Sequence, residues 1–370
     1  MKKLFICSEF YAGMLPFGSA IINTMRGEDT FGIFICTNQC DYKKTIIPNG
    51  NNYLFIDFPT SKIKKLLFRI YPFTLIKNIN KLIKSHNISV VHLLTEDSSV
   101  AFNLKRMQKQ ASVFYTVHDL VPHEQKFSSI TSWFLRSVLI QPRVSYLIKH
   151  TANLVTCSSL QYRGMKSNFT DKNIFYHNFP SLLTESVKTG RDHISELEGV
   201  EDYILFFGLI EKYKGIHILY NAYLHHPDNK KQLVIAGKGD LYFTRNPEKE
   251  NKKVIFINRY IADQEVKELF SKAYCVVFPY ISATQSGVLS LSYFFRTPSV
   301  VSNIPFFMET IIDNVTSLSF AIDDIYTLMT TVDKLATISL EELKDKGFEY
   351  YQSNYSIEAL KNQLDEIYTN

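Results

Sequence analysis

Short apolar runs that do not alternate with polar residues most constrain how this 370-residue chain can fold. In the first half they read LFICS (4–8), GIFICT (32–37), YLFID (53–57), VVHLL (90–94), VFYTVHD (113–119), LVTCS (154–158) and NIFYHN (173–178). In the second half they read YILFFG (203–208), QLVIAG (232–237), VIFIN (254–258), CVVFPY (275–280) and PSVVSN (298–303). A strand with one wet face alternates, whereas a strand covered on both faces stays apolar, as in parallel sheets. Most of the gaps leave room for a crossover helix. The pattern therefore predicts an α/β chain of the doubly wound kind.

The polar, charged stretch at 180–202, PSLLTESVKTGRDHISELEGVED, separates the two series of runs. The expected division is an N-terminal Rossmann-like domain over 1–180, a linker over 181–202 and a second Rossmann-like domain over 203–340. Helices over 341–370 would follow, able to pack back on the first domain. Two such domains facing each other across a cleft would hold ligands beyond the carboxyl ends of their strands.

The five cysteines, Cys7, Cys36, Cys40, Cys157 and Cys275, are an odd number, and most lie in apolar runs. No ligand spacing completes a metal set around them, so they read as reduced thiols of a cytosolic protein. The start, MKKLFICSEFYAG, has too short an apolar stretch for a signal peptide. No run reaches the roughly 18 apolar residues of a spanning helix. The net charge of +5 is modest, and no nucleic-acid module is recognisable. One region stands apart, because no acid occurs from Pro59 to Thr95 while lysines interleave with Leu, Ile and Phe. Over 61–84 this suits peripheral contact with an anionic membrane, or a core-facing helix with a lysine-coated solvent side. The missing acids favour the membrane.

Three strand–turn units carry residues suited to an anion. In ILFFGLIEKYKGIHILYNAY (204–223) a strand ends at Gly208, and Lys214 precedes a helix start whose free N–H groups favour negative charge. A lysine there suits a diphosphate. LVIAGKGDL (233–241) brings Gly237 to the same sheet edge, and INRYIADQEVKELFSKA (257–273) follows. A fourth stretch, SATQSGVLSLSYFFRTPSVVSN (282–303), opens a helix after Thr284, Gln285, Ser286 and Gly287 without any acid.

In that order and spacing, residues 203–312 resemble the nucleotide-binding domain of retaining glycosyltransferases of the GT-B fold, family four. The loop at 283–287 is similar to that of a branch reading Ala-Thr-Gln-Ser-Gly. In the first half, YTVHDLVPHE (115–124) resembles the family's His-bearing loop, and YAGMLPFGSAIINTM (11–25) its glycine loop and first helix. The resemblance implies transfer of a sugar from a nucleotide-diphosphate sugar to a sugar or lipid-linked glycan acceptor, in surface polysaccharide synthesis at the cytoplasmic face of a membrane. It implies no metal or other cofactor. His118, Lys214 and Gln285 would serve the reaction. Gly18, Gly208, Gly237, Thr284, Ser286, Gly287 and Val288 would hold the donor, with Asn258, Arg259 and Tyr260 against its base.

Leu209 stands where the family usually has Arg, and Gln285 and Tyr293 stand where it often has two Glu. Neutral groups at these last two positions would then handle the donor sugar. The departures keep open a catalytically silent GT-B subunit that binds a nucleotide or a partner glycosyltransferase. A nucleotide-sugar epimerase or dehydrogenase is a further alternative, although FICSEFYAGMLPFG is not a Gly-x-Gly-x-x-Gly loop.

Overall fold

The computed structural model describes residues 1–8, 15–36, 45–118, 120, 134–226, 230–283 and 286–369. The chain divides into two compact units, one of Met1–Pro180 with Leu360–Asn370 and one of Ser181–Ala359.

The first unit holds a seven-stranded sheet of order β3-β2-β1-β4-β5-β6-β7. Its strands are β1 (Lys3–Cys7), β2 (Thr30–Cys36), β3 (Tyr53–Asp57), β4 (Val90–Leu93), β5 (Ser112–Thr116), β6 (Asn153–Thr156) and β7 (Asn173–Tyr176). Every pairing is parallel. Each strand descends from one of the seven apolar runs, and β2 is buried along its whole length. Helix α1 (Leu15–Thr24) follows β1, and α2 (Lys62–Ile70) and α3 (Phe73–His86) follow β3. The final helix, Ile357–Thr369, places Leu360, Leu364, Ile367 and Tyr368 in this unit's core.

The basic stretch over 61–84 divides into two unlike helices. α3 buries Leu75, Ile76, Ile79 and Ile83 and keeps Lys77, Lys81 and Lys84 exposed, so it is the core-facing helix with a lysine coat. α2 buries none of its residues.

The second unit holds a six-stranded parallel sheet of order β10-β9-β8-β11-β12-β13. Its strands are β8 (Tyr203–Phe207), β9 (Leu233–Ala236), β10 (Val254–Ile257), β11 (Ala273–Phe278), β12 (Ser299–Ser302) and β13 (Leu318–Phe320). Only β13 has no counterpart among the apolar runs: it has three residues, one of them serine. Residues 181–202 pack within this unit, where the short Glu185–Thr189 helix buries Val187 in its core. In both sheets the order reverses beside the first strand of the unit, between β1 and β4 and between β8 and β11. Ligands of doubly wound sheets bind beyond the strand ends at such switch points.

Candidate active site

At the switch point of the second unit, β8 ends into Gly208 and β11 ends into Pro279 and Tyr280. The loop between β8 and the Ile216–His225 helix is tied to the end of β11. Ile281 N–H donates to the Tyr213 carbonyl at 2.7 Å. Gly215 has φ +64°, and a Cβ there would stand 1.8 Å from the Pro279 carbonyl oxygen. Glycine alone permits both the left-handed turn and this approach. The turn Lys212–Lys214 that precedes it directs one lysine inward: Lys212 is exposed, while Lys214 is only 8% exposed.

Lys214 lies under Gly208, where a Cβ would come within 2.6 Å of its ammonium nitrogen. That nitrogen is 5.6 Å from the centre of the Tyr280 ring. Among the described residues no carboxylate pairs with it. Burial pushes its pKa below the usual lysine range, against the opposing pull of Tyr213 and Glu211. Tyr280 is itself buried, which pushes its hydroxyl up to about 12, with the Ser286 side chain acting in the opposite direction. Gly208, Lys214, Tyr280 and Ser286 thus form one group. Sequence reasoning missed Tyr280, whose one signal is its place at the end of a strand-forming run.

The other expected donor residues fall around this group in different states. Gly237 ends β9, and a Cβ there would meet the Gly208 carbonyl at 1.9 Å, so the two strand ends touch through bare backbone. Gly287 caps the buried Val288–Phe294 helix and packs against Leu182. Thr284 and Gln285 lie outside the described residues. Asn258 accepts from the Gly239 N–H at 3.2 Å. Arg259 donates to both carboxylate oxygens of Glu196, both of Glu265 and the Tyr260 carbonyl. These bonds take all five of its N–H donors, so none is left for a base. Glu265 and Glu196 hold its pKa above the usual value, and it holds Glu196 down to about 2. Tyr260, 70% exposed, keeps its ring open to solvent.

Tyr293 corrects the expectation that it meets the donor sugar. It is 2% exposed in the core of the second unit. Its hydroxyl donates to Thr316 at 3.1 Å and lies 2.9 Å from the Ser317 hydroxyl. Leu209, by contrast, is exposed beside Gly208.

At the switch point of the first unit, Asp97 is fully buried and accepts from the Ser8 N–H at the end of β1 and the Thr95 N–H after β4, each at 2.7 Å. Burial raises its pKa to about 6, and its bonds to Ser8 and Thr95 oppose that rise. His118, just past β5, places Nε2 2.8 Å from the Leu94 carbonyl and sets its ring edge-on to Phe17 of α1 at 4.7 Å. Gly18 is buried in the first turn of α1. His118 and Gly18 therefore lie near one edge of this sheet.

Two parallel doubly wound sheets with these connections define the class: the chain has the GT-B fold. Its whole length is similar to sucrose-phosphate synthase from Thermosynechococcus elongatus, at 14% identity and TM-score 0.70, covering 100% of this chain and 98% of that one. It is likewise similar to Anabaena HepE solved with UDP, at 13% identity and TM-score 0.69, covering 100% of both chains. A glycosyltransferase from Rickettsia africae matches at 14% identity and TM-score 0.69, over 100% of this chain and 97% of that one. More particularly, residues 201–337, which carry the Lys214 group, match the family model of glycosyl transferases group 1. Among curated proteins, no sequence matches the chain.

Proposed function

We propose that this protein is a retaining glycosyltransferase. It moves a sugar from a nucleotide-diphosphate sugar to an acceptor hydroxyl, in the cytoplasmic assembly of a surface polysaccharide on a lipid carrier. The observation that carries this reading is Lys214, a buried ammonium with no paired carboxylate among the described residues, at the switch point of the second sheet. A dry, unneutralised cation is costly to keep unless a ligand brings the opposite charge. A diphosphate does so, and it gains charge as the bond to the sugar breaks. Lys214 then holds it more tightly in the transition state than in the ground state.

The backbone at Gly208 and Gly237 lets the phosphates approach. Ser286, Gly287 and Val288 supply hydroxyl and N–H groups, and Thr284 and Gln285 contact phosphate or sugar. The exposed Tyr260 ring stacks on the base. Gly18 serves the donor phosphates, and His118 serves the reaction. No metal ion is assigned a role. The donor class is supported by HepE, solved with UDP and with UDP-glucose, and by a trehalose-6-phosphate protein from E. coli bound with UDP-2-fluoro glucose.

The exposed Leu209 favours a second reading, a silent subunit that binds nucleotide without turnover. One assay separates the two. The protein is incubated with a panel of nucleotide sugars and lipid-linked acceptors, and release of nucleoside diphosphate is followed. Release that disappears in Lys214→Ala and falls in Gln285→Ala supports transfer. Nucleotide binding without release under every donor favours the silent subunit.

A further inference from the structure

Helix α2 is built inside out. At about 100° per residue, Ile63, Leu66, Leu67 and Ile70 share one stripe. Lys62 and Arg69 flank it on one side, Lys64 on the other, and Lys65 and Phe68 lie opposite. The structure shows which side meets the protein. Phe68 packs on the core and sets its ring edge-on to Phe58 at 5.3 Å. The apolar stripe faces away, with Ile63 72% and Leu67 58% exposed.

The helix is nevertheless fixed in place. Arg143 donates to the Arg69 and Ile70 carbonyls at its C-terminal end, and the same guanidinium lies 4.6 Å from the Phe102 ring. Phe102 is exposed and 6.1 Å from the exposed Tyr71 ring, so the apolar surface continues past the end of the helix.

We propose that α2, with Tyr71 and Phe102, is the surface by which this protein lies on an anionic lipid bilayer. An apolar stripe flanked by cations, with no acid between Pro59 and Thr95, matches acyl chains beneath negative headgroups. Pairing of this face with a second copy would set the same flanking cations, Lys62, Lys64 and Arg69, against one another. No helix among the described residues is long and apolar enough to cross a membrane, so contact here is peripheral. The lysines of α3 are not part of this surface, because its apolar side is already buried. The inference extends the proposed function to where a lipid-linked acceptor is met, but its test needs no donor.

The test is flotation of the full chain with vesicles of phosphatidylglycerol and phosphatidylcholine in equal amounts, and with phosphatidylcholine alone. The protein is expected to float with the first and not the second. Ile63→Ser with Leu67→Ser, and Lys62→Glu with Lys64→Glu, should each weaken binding at least about tenfold. No residue of α2 is buried, so both variants should keep the wild-type melting temperature. Absence of flotation, or flotation unchanged in both variants, overturns the proposal. A concentration-dependent dimer abolished by both variants also overturns it, by showing that the face meets protein. A chain that floats but releases no nucleotide keeps this inference and removes the transferase reading.

Discussion

The ammonium of Lys214 sits 5.6 Å from the centre of the Tyr280 ring, and neither residue is more than 8% exposed. An aromatic face attracts a cation without neutralising it. The lysine is thereby held in place while its charge stays available to an anion.

Lys214→Met should separate binding from stability. It removes a desolvated charge, so the melting temperature of the free protein should rise, by the equivalent of about 1 kcal/mol or more. The stabilisation that a nucleoside diphosphate gives the wild type, about 2.7 kcal/mol at a hundred times its Kd, should largely vanish. Thermal melts with and without UDP measure both. A variant stabilised by UDP as much as the wild type would remove Lys214 from the donor site.

Gly215→Ala should damage the site through its backbone. The new Cβ would strike the Pro279 carbonyl in a left-handed conformation. The expected loss exceeds about 1 kcal/mol in urea unfolding, and nucleotide release should fall further than that loss accounts for, because the loop carrying Lys214 shifts. Unchanged release at full stability would show that the loop is not constrained there.

Tyr293→Phe should cost about 1 kcal/mol of stability, the worth of a buried hydrogen bond. The KM for donor should stay within about twofold, since the hydroxyl bonds Thr316 and Ser317. Tyr293→Glu should express poorly, because an unpaired carboxylate would enter the core. A large rise in donor KM for the Phe variant would return Tyr293 to the site.

Acid should loosen the first unit. His177 is buried beside Cys157, whose Sγ lies 3.4 Å from its Nε2. Burial lowers the His177 pKa from 6.5 to about 4, with a bond to the Asn178 backbone opposing and His118 adding to the fall. His92, bonded to Tyr368 and Thr116, is lowered too, mainly by burial. A folded value below the unfolded one means the unfolded chain takes the proton first. The contribution is complete above about pH 6.5 and is lost as pH falls toward about 4, on the order of 3 kcal/mol for His177. Urea unfolding across that range, followed on wild type and His177→Gln, should show the slope shrink in the variant.

The strands were legible because their signal is local: burial on both faces leaves no polar residue inside runs such as LFIC (4–7) or LVIA (233–236). The strand β13 was not, since three residues cannot show a period. The order of glycines, lysine and strand ends was also legible, because each loop of the Lys214 group follows directly on its strand. Arg259 and Tyr293 were harder. Whether an arginine faces a ligand or two glutamates, and whether a tyrosine lines a site or a core, depends on residues distant in sequence, here Glu196, Thr316 and Ser317.

By itself the sequence determined a parallel α/β chain in two series of strands, and a lysine near a helix start that can hold an anion. Only the tertiary structure decided that Lys214 and not Lys212 turns inward, that Tyr280 covers it, and that the last helix completes the core of the first unit. It also decided that α3 hides its apolar side while α2 shows it. The two helices share a composition, so periodicity cannot tell them apart. The difference is which side the neighbours already cover: Phe58 takes the Phe68 side of α2, and Arg143 holds its end.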